Sequence, residues 1–214
     1  MSYCGPFPAD YRDEMRRKWM RKIKDLLLPH SKEFTFISFM TTQDQTTAWQ
    51  EEGLPTDNFS NENGVFITEG LRWALNIDPQ SQAINWLKNK YGKLKDAQGK
   101  DLMKIADPKD KGYLKVIKNG IIDGAIVLLQ DIVGETLDPT LDNVLNKSIK
   151  EIGGGTGGRS KSNKFVLFGT EEIPYNDTFK LFMTTRQPNP HYTPEVSTKV
   201  AVINFTVVED GLED

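Results

Sequence analysis

A single cysteine, Cys4, stands among 214 residues, so the chain cannot close a disulfide on itself and a zinc site built only from cysteines is excluded. Reducing conditions are the natural inference. Histidine is almost as scarce: His30 and His191 are the only two, and their unrelated contexts argue against a metal centre. No apolar run approaches the ~18 residues of a membrane span, and residues 1–8 lack the basic-then-apolar form of a secretory leader. The sequence therefore reads as soluble and intracellular, with no membrane partner. An excess of positive charge is also missing, because 27 Lys and Arg face 30 Asp and Glu, a formal charge of -3. A nucleic-acid partner, which needs a concentrated basic face, is not expected.

What is present is ordinary globular material, with 37% hydrophobic residues and a length between one and two domains at roughly 150 residues each. From Asp10 to Leu28 the apolar residues Tyr11, Met15, Trp19, Ile23, Leu26 and Leu27 recur at helical spacing, with Asp10 as the expected cap and Pro29 after the end. Arg12, Arg16, Arg17, Arg21, Lys22 and Lys24 are expected on the other face, either solvated or offered to an acidic partner. The aromatic content of Glu33 to Phe39 predicts a short strand, Thr46 to Glu52 a short helix, and Gly53 to Ser60 a loop. Glu62 to Thr68 fits helix or strand.

Beyond Arg72 strands and helices alternate, which argues for βαβ units. The predicted strands are Trp73–Ile77, Leu102–Ala106, Ala125–Leu129, Phe179–Thr184 and Val200–Val207, with a helix after the turn Asp78-Pro79-Gln80 running to about Tyr91 and carrying Ala83, Ile84 and Leu87, and another from Gly112 to Ile122. The continuous run Ala125–Leu129 has the character of a strand covered on both faces. Two arms, Ser148–Ile152 and Lys164–Phe168, flank a glycine string and predict a hairpin. No internal repeat or interdomain linker is evident, so one α/β domain with an N-terminal helical extension is expected, divided at residues 1–52 and 53–214.

Three places invite a chemical reading. Gly153-Gly154-Gly155-Thr156-Gly157-Gly158-Arg159-Ser160 matches a phosphate-loop spacing with arginine for lysine, yet the residues that follow read as strand where the motif requires a helix. A hairpin tip is the competing reading. The first strand–turn–helix offers the right geometry with the wrong residues. Across Asp78-Pro79-Gln80-Ser81-Gln82-Ala83-Ile84-Asn85, Asp78 takes the first glycine position, Ala83 the last, Ile84 the lysine and Asn85 the hydroxyl residue. A carboxylate stands where phosphate would approach. Finally, the strand Ala125–Leu129 ends in Gln130-Asp131 where phosphate-loop ATPases carry an acidic pair, and Asp131 is expected to cap a following turn. Thr184, at the end of another strand, lies where α/β folds place ligand contacts.

Three ordered strings, Gly53-Leu54-Pro55-Thr56-Asp57-Asn58-Phe59-Ser60-Asn61-Glu62-Asn63-Gly64, Arg72-Trp73-Ala74-Leu75-Asn76-Ile77-Asp78-Pro79-Gln80 and Asn189-Pro190-His191-Tyr192-Thr193-Pro194-Glu195-Val196, resemble the dynein heavy chain family, and within it the fifth AAA+ module of the motor ring. The resemblance runs over nearly the whole chain. It implies an AAA+ three-layer α/β/α sandwich with a mainly parallel five-stranded sheet, an N-terminal helical extension and an inserted β-hairpin. It also implies a structural module that does not hydrolyse ATP and holds no cofactor, with ATP and Mg²⁺ bound by other modules. The implied partners are neighbouring modules and the linker of the same heavy chain, microtubules through the distant stalk, and intermediate and light chains indirectly. The implied location is the cytoskeleton, in the axoneme of a cilium or flagellum. Leu71, Ala74 and Ser81 stand where the family commonly has arginine, proline and glycine, and Arg186 is the arginine nearest a finger position. Two rival readings are a phosphate-binding ATPase using the glycine string and an interaction module using the basic helix.

Overall fold

The computed structural model describes residues 3–31, 34–96, 98–152 and 163–206. Five short strands, β1 (Ala74–Ile77), β2 (Met103–Ala106), β3 (Ile126–Leu129), β7 (Lys180–Thr185) and β8 (Ala201–Asn204), form one sheet in the order β2-β3-β7-β1-β8. Every pairing in it is parallel. The five predicted strands are all here, each shorter than its apolar run by a residue or more or shifted by one. Consecutive strands are joined by helices, as parallel pairing demands: α5 (Gln82–Tyr91) follows β1 and α6 (Tyr113–Asp123) follows β2.

Alternate strand residues feed two cores, one on each side of the sheet. Leu75, Ile77, Val127, Leu129, Leu181 and Met183 pack with Ile117 and Ile121 of α6 and with Val144 and Leu145 of α7 (Asp142–Leu145). On the other side, Ala74, Ile126, Leu128, Phe182 and Ile203 pack against α5, α3 (Gln43–Glu51) and α4 (Asn58–Thr68) through Trp49, Val65, Phe66, Ile84, Trp86 and Leu87. Trp49 and Trp86 meet edge to face at 6.0 Å. This is the three-layer α/β/α sandwich expected from the resemblance.

The predicted hairpin arms do pair, β4 (Ile149–Ile152) antiparallel with β5 (Asn163–Phe168), and β6 (Glu171–Pro174) adds a third strand to this second sheet. Val166 and Ile173 bury against the first core, which fixes the small sheet on the large one. The glycine string at residues 153–160 and the terminal residues 207–214 lie outside the described residues, so the phosphate-loop reading of that string is not addressed.

The N-terminal third departs from expectation. Residues predicted as a strand contain helix α2 (Phe36–Met40), started by Thr35, whose hydroxyl accepts the N–H of Ser38. The cap outweighs the aromatic content. Within the expected loop, Asp57 accepts the N–H of Ser60 and begins α4 at Asn58, which settles 62–68 as helix. Helix α1 (Ala9–Asp25) has Pro8 at its N-cap without a side-chain bond, so Asp10 sits inside the first turn rather than capping it. It stops where Leu27 turns left-handed, at φ 53°.

The larger correction concerns the faces of α1. Arg12 lies three and seven residues before Met15 and Trp19, within the apolar stripe rather than opposite it, and its side chain is buried. Its guanidinium donates to the carbonyls of Gly5 at 2.7 Å, Phe7 at 2.9 Å and Cys4 at 3.1 Å, to Asn63 Oδ1 at 2.8 Å and to Glu62 at 3.3 Å. The rings of Phe59 and Phe66 cover it at 4.2 and 5.0 Å. Burial pulls the guanidinium down to about 9, which leaves a cation at neutral pH. Arg16 reaches the other oxygen of Glu62. These bonds explain why α4 buries Glu62 and Asn63, while the neighbouring buried Asn61 donates to the Thr56 carbonyl at 3.0 Å; all three are polar residues that obscure the helical period.

Candidate functional site

The turn Asp78–Ser81 leaves the C-terminal end of β1 and enters α5 between the ends of β7 and β8. Sheet bonding continues one residue past the strand, from Asp78 N–H to the Thr185 carbonyl at 2.8 Å. Ser81 then adopts φ 62°, ψ 26°, the left-handed conformation that glycine occupies without cost. This geometry turns the first amides of α5 back toward the strand end, as a phosphate-binding turn does.

The anion at those amides is the protein's own. Asp78 is fully buried, and its Oδ1 accepts the N–H of Gln82 at 2.7 Å while Oδ2 accepts that of Ile84 at 2.9 Å. Burial raises the pKa of this carboxyl, opposed by the bonds from Ile84, Gln82 and Ala83 and by the charge of Arg186. Ile84, at the lysine position, is buried in the core beside Trp49, Phe66 and Phe182. Asn85 and Gln80 are exposed, and Pro79, Ser81 and Gln82 half-buried. Position 84 thus supplies no ammonium to a phosphate, and the helix-start donors already hold a carboxylate. These residues do not fit a nucleotide triphosphate.

The strands bring the remaining positions alongside. Because β3, β7 and β1 are neighbours, Gln130, Asp131, Thr184 and Asp78 collect at one end of the sheet. Asp131 has φ 57° and does not cap a turn as expected. Its carboxylate instead faces Arg186, with Nε 2.9 Å from Oδ1, although that N–H does not point along a hydrogen bond. Arg186 thus pairs with Asp131 from the surface, its own side chain 62% exposed. Gln130 is half-buried, its backbone N–H donating to the Ala106 carbonyl at 2.9 Å.

Two buried polar side chains complete the floor. Asn76 and Thr184 are register partners on β1 and β7 and are both fully buried. Asn76 Nδ2 donates to the Met183 carbonyl at 3.1 Å, while Asn76 Oδ1 and Thr184 Oγ1 find no hydrogen-bond partner among the described residues. Asn76 was not singled out from sequence; one amide inside an apolar strand run was its only signal. The Arg12 network had no local side-chain signal, since its near acceptors are backbone carbonyls and its side-chain acceptors, Glu62 and Asn63, lie about fifty residues away.

Comparison with known proteins identifies this arrangement. A family model described as the ATP-binding dynein motor region matches residues 47–214. The chain belongs to the dynein motor-region family. Over all 214 residues it is 45% identical to dynein axonemal heavy chain 2 of Mus musculus, 42% to the dynein-1-beta heavy chain, flagellar inner arm I1 complex, of Chlamydomonas reinhardtii, and 38% to dynein axonemal heavy chain 6 of Homo sapiens. It spans only 4 to 5% of the length of these relatives. The parallel five-stranded sheet with helices on both faces is the AAA+ architecture. Within it, this dynein motor-region chain has an acid, Asp78, in the turn between β1 and α5 and an amide, Gln130, directly after β3. Among the described residues no group of three or more His, Cys, Asp and Glu is placed to hold a metal ion, and no helix is long and apolar enough to cross a membrane.

Proposed function

We propose that this chain is the large subdomain of the fifth AAA+ module of an axonemal dynein heavy chain, a structural module that passes conformational change around the ring without hydrolysing ATP. The observation that carries the reading is Asp78, whose carboxylate takes the amides of Gln82 and Ile84 that a nucleotide phosphate would need. Two further features support it: Ile84 is part of the core, and Gln130 replaces the carboxylate that would hold Mg²⁺. In this reading the module binds no cofactor, and ATP and Mg²⁺ are handled by other modules of the parent motor. Its partners are the adjoining modules and the linker of the same heavy chain. Contact with microtubules runs through the distant stalk, and with intermediate and light chains only indirectly. The axonemal names of its relatives place it in a cilium or flagellum.

Calorimetric titration of the chain with ATP and ADP, with and without Mg²⁺, tests this. No binding tighter than about 1 mM is expected, a level equivalent to roughly 4 kcal/mol. A micromolar dissociation constant overturns the reading.

A further inference from the structure

Arg12 is the one buried residue of helix α1, and the apolar stripe is left half-buried or uncovered along its length. Arg12, near its N-terminus, is locked into the body, whereas Trp19 is 69% exposed, Leu26 58% and Leu27 91%. Met15, Met20 and Ile23 are half-buried and, with Phe34, Phe36 and Phe66, line an open groove of about 660 Å³. Seventeen residues of helix reach roughly 25 Å at 1.5 Å per residue, so the second half passes beyond the elements that hold the first. A ridge of Met15, Trp19 and Ile23 at four-residue spacing runs along this overhang.

Charge rims the same half of the helix. Arg17, Arg21, Lys22 and Lys24 are exposed, and none makes an ion pair with an acid among the described residues. The acids of α1 are Asp10, Asp13 and Glu14 at its start, where Asp13 and Glu14 pair with Arg16 and Lys18, and Asp25 at its last residue. By helical spacing, Lys18 and Lys22 lie beside Met15 and Trp19 on one side of the apolar face, and Arg17 and Lys24 lie beside Met20 on the other.

We propose that the overhanging half of α1 docks an acidic amphipathic helix, whose apolar side chains enter the groove beside Trp19 and Ile23 while its carboxylates meet the cationic rims. Helix-in-groove recognition uses this combination of apolar anchors at three- and four-residue spacing with flanking charge, and an exposed tryptophan is the residue type that most often anchors such contacts. An anionic membrane would also attract the cations. The cavity favours the protein partner, because it is concave and walled by residues 34–36, which a flat lipid surface cannot fill. The site is separate from the Asp78 turn and independent of whether the module binds nucleotide.

The test places a photo-crosslinking benzoylphenylalanine at position 19 of the intact heavy chain. Crosslinks to a segment with helical spacing of apolar residues and net negative charge are expected. Crosslinks confined to basic or non-helical segments, or none at all, overturn the proposal. A second arm titrates the 214-residue chain with a fluorescein-labelled 21-residue peptide of leucines at helical spacing among glutamates, read by anisotropy. It should bind at least tenfold tighter than a peptide of the same composition with scattered leucines, and at least tenfold weaker in 0.5 M than in 0.05 M NaCl. Trp19→Ala and the triple variant Arg17→Glu, Arg21→Glu, Lys24→Glu should each weaken it at least tenfold with an unchanged circular dichroism melt. Equal binding of both peptides, no effect of Trp19→Ala, or capture by phosphatidylserine vesicles without peptide binding overturns it.

Discussion

The Asp78 carboxylate accepts the backbone N–H of Ile84 through Oδ2 at 2.9 Å, so the side chain at the end of β1 closes the first turn of α5. The helix of a phosphate-binding turn is thereby capped from within the chain, and strand and helix are tied where a ligand would otherwise join them.

Removing that carboxylate should cost stability. Asp78→Ala leaves the Gln82 and Ile84 amides without their acceptor in a buried site, a loss of about 2–4 kcal/mol, read from urea unfolding midpoints. The pH dependence has a definite sign. Burial raises the folded-state pKa above the ordinary carboxylate value, so the contribution of Asp78 is fully present below its unfolded pKa and is lost as pH rises through the folded one. The stability difference between wild type and Asp78→Asn should narrow as pH rises across that window; a constant difference refutes the assignment.

Arg12 should be the most sensitive position of the N-terminal third. Arg12→Ala leaves the Glu62 carboxylate, 6% exposed, with Arg16 as its remaining cation, strips the acceptors at Gly5, Phe7 and Asn63 of their donor, and empties a slot between two aromatic rings. Breaking a buried pair from one side costs about 3–5 kcal/mol, enough to unfold a marginal domain. Arg12→Lys keeps the charge but loses the forked geometry that reaches Gly5, Phe7 and Asn63 together, so it should fall between wild type and Arg12→Ala in the same urea series.

Gly5 is held against the outer strand of the sheet. A Cβ there would meet the Val202 carbonyl oxygen at 2.3 Å, and its own carbonyl takes both the Asn204 N–H at 3.0 Å and the Arg12 guanidinium. Gly5→Ala should push the N-terminal segment off β8 and release α1 while α5 and α6 stay protected. Hydrogen exchange read by mass spectrometry distinguishes this from global loosening, which would accelerate all three helices.

Much of this fold was legible because its core strands are short continuous apolar runs, as in Ile126–Leu129, between helices with a clear period, as in α6. The turn at Asp78 was legible for a different reason: it is a local string whose spacing carries its geometry. What escaped detection depends on distant partners. Arg12 counted as a surface cation until Glu62 and Asn63, about fifty residues later, were seen around it, and the same contact made buried polar residues in α4 look like a break in pattern. Residues 36–39 fold as helix rather than the expected strand because Thr35, a single capping hydroxyl, outweighs three phenylalanines. Asp131 follows the same logic, since its partner Arg186 belongs to another strand end.

Ser81 carries strain that glycine would relieve. Its φ of 62° is disfavoured for a residue with a Cβ by about 1–2 kcal/mol, partly offset by the greater freedom glycine has when unfolded. Ser81→Gly should therefore stabilise the chain by roughly 0.5–1 kcal/mol in urea unfolding, without bringing nucleotide binding. Destabilisation would mean that the serine hydroxyl contributes more than the backbone costs.

Supplying the missing lysine should not rebuild a nucleotide site. The Ile84 residue is 4% exposed and packs with Trp86, Leu87 and Phe182, so an ammonium introduced there starts in an apolar layer, while the one acid beside its backbone, Asp78, is already bonded to two amides. Burying it unpaired costs several kcal/mol or forces it to lose its proton. Meanwhile the Gln82 and Ile84 amides remain bonded to Asp78, and its negative charge opposes any phosphate. Ile84→Lys is expected to lower the urea midpoint strongly and to show no ADP binding tighter than about 1 mM by calorimetry. Adding Asp78→Gly to it removes the resident anion, so the double variant separates the two causes. Micromolar ADP binding by Ile84→Lys alone would show that Asp78 does not guard the turn, whereas binding confined to the double variant would identify the carboxylate as the group that excludes phosphate.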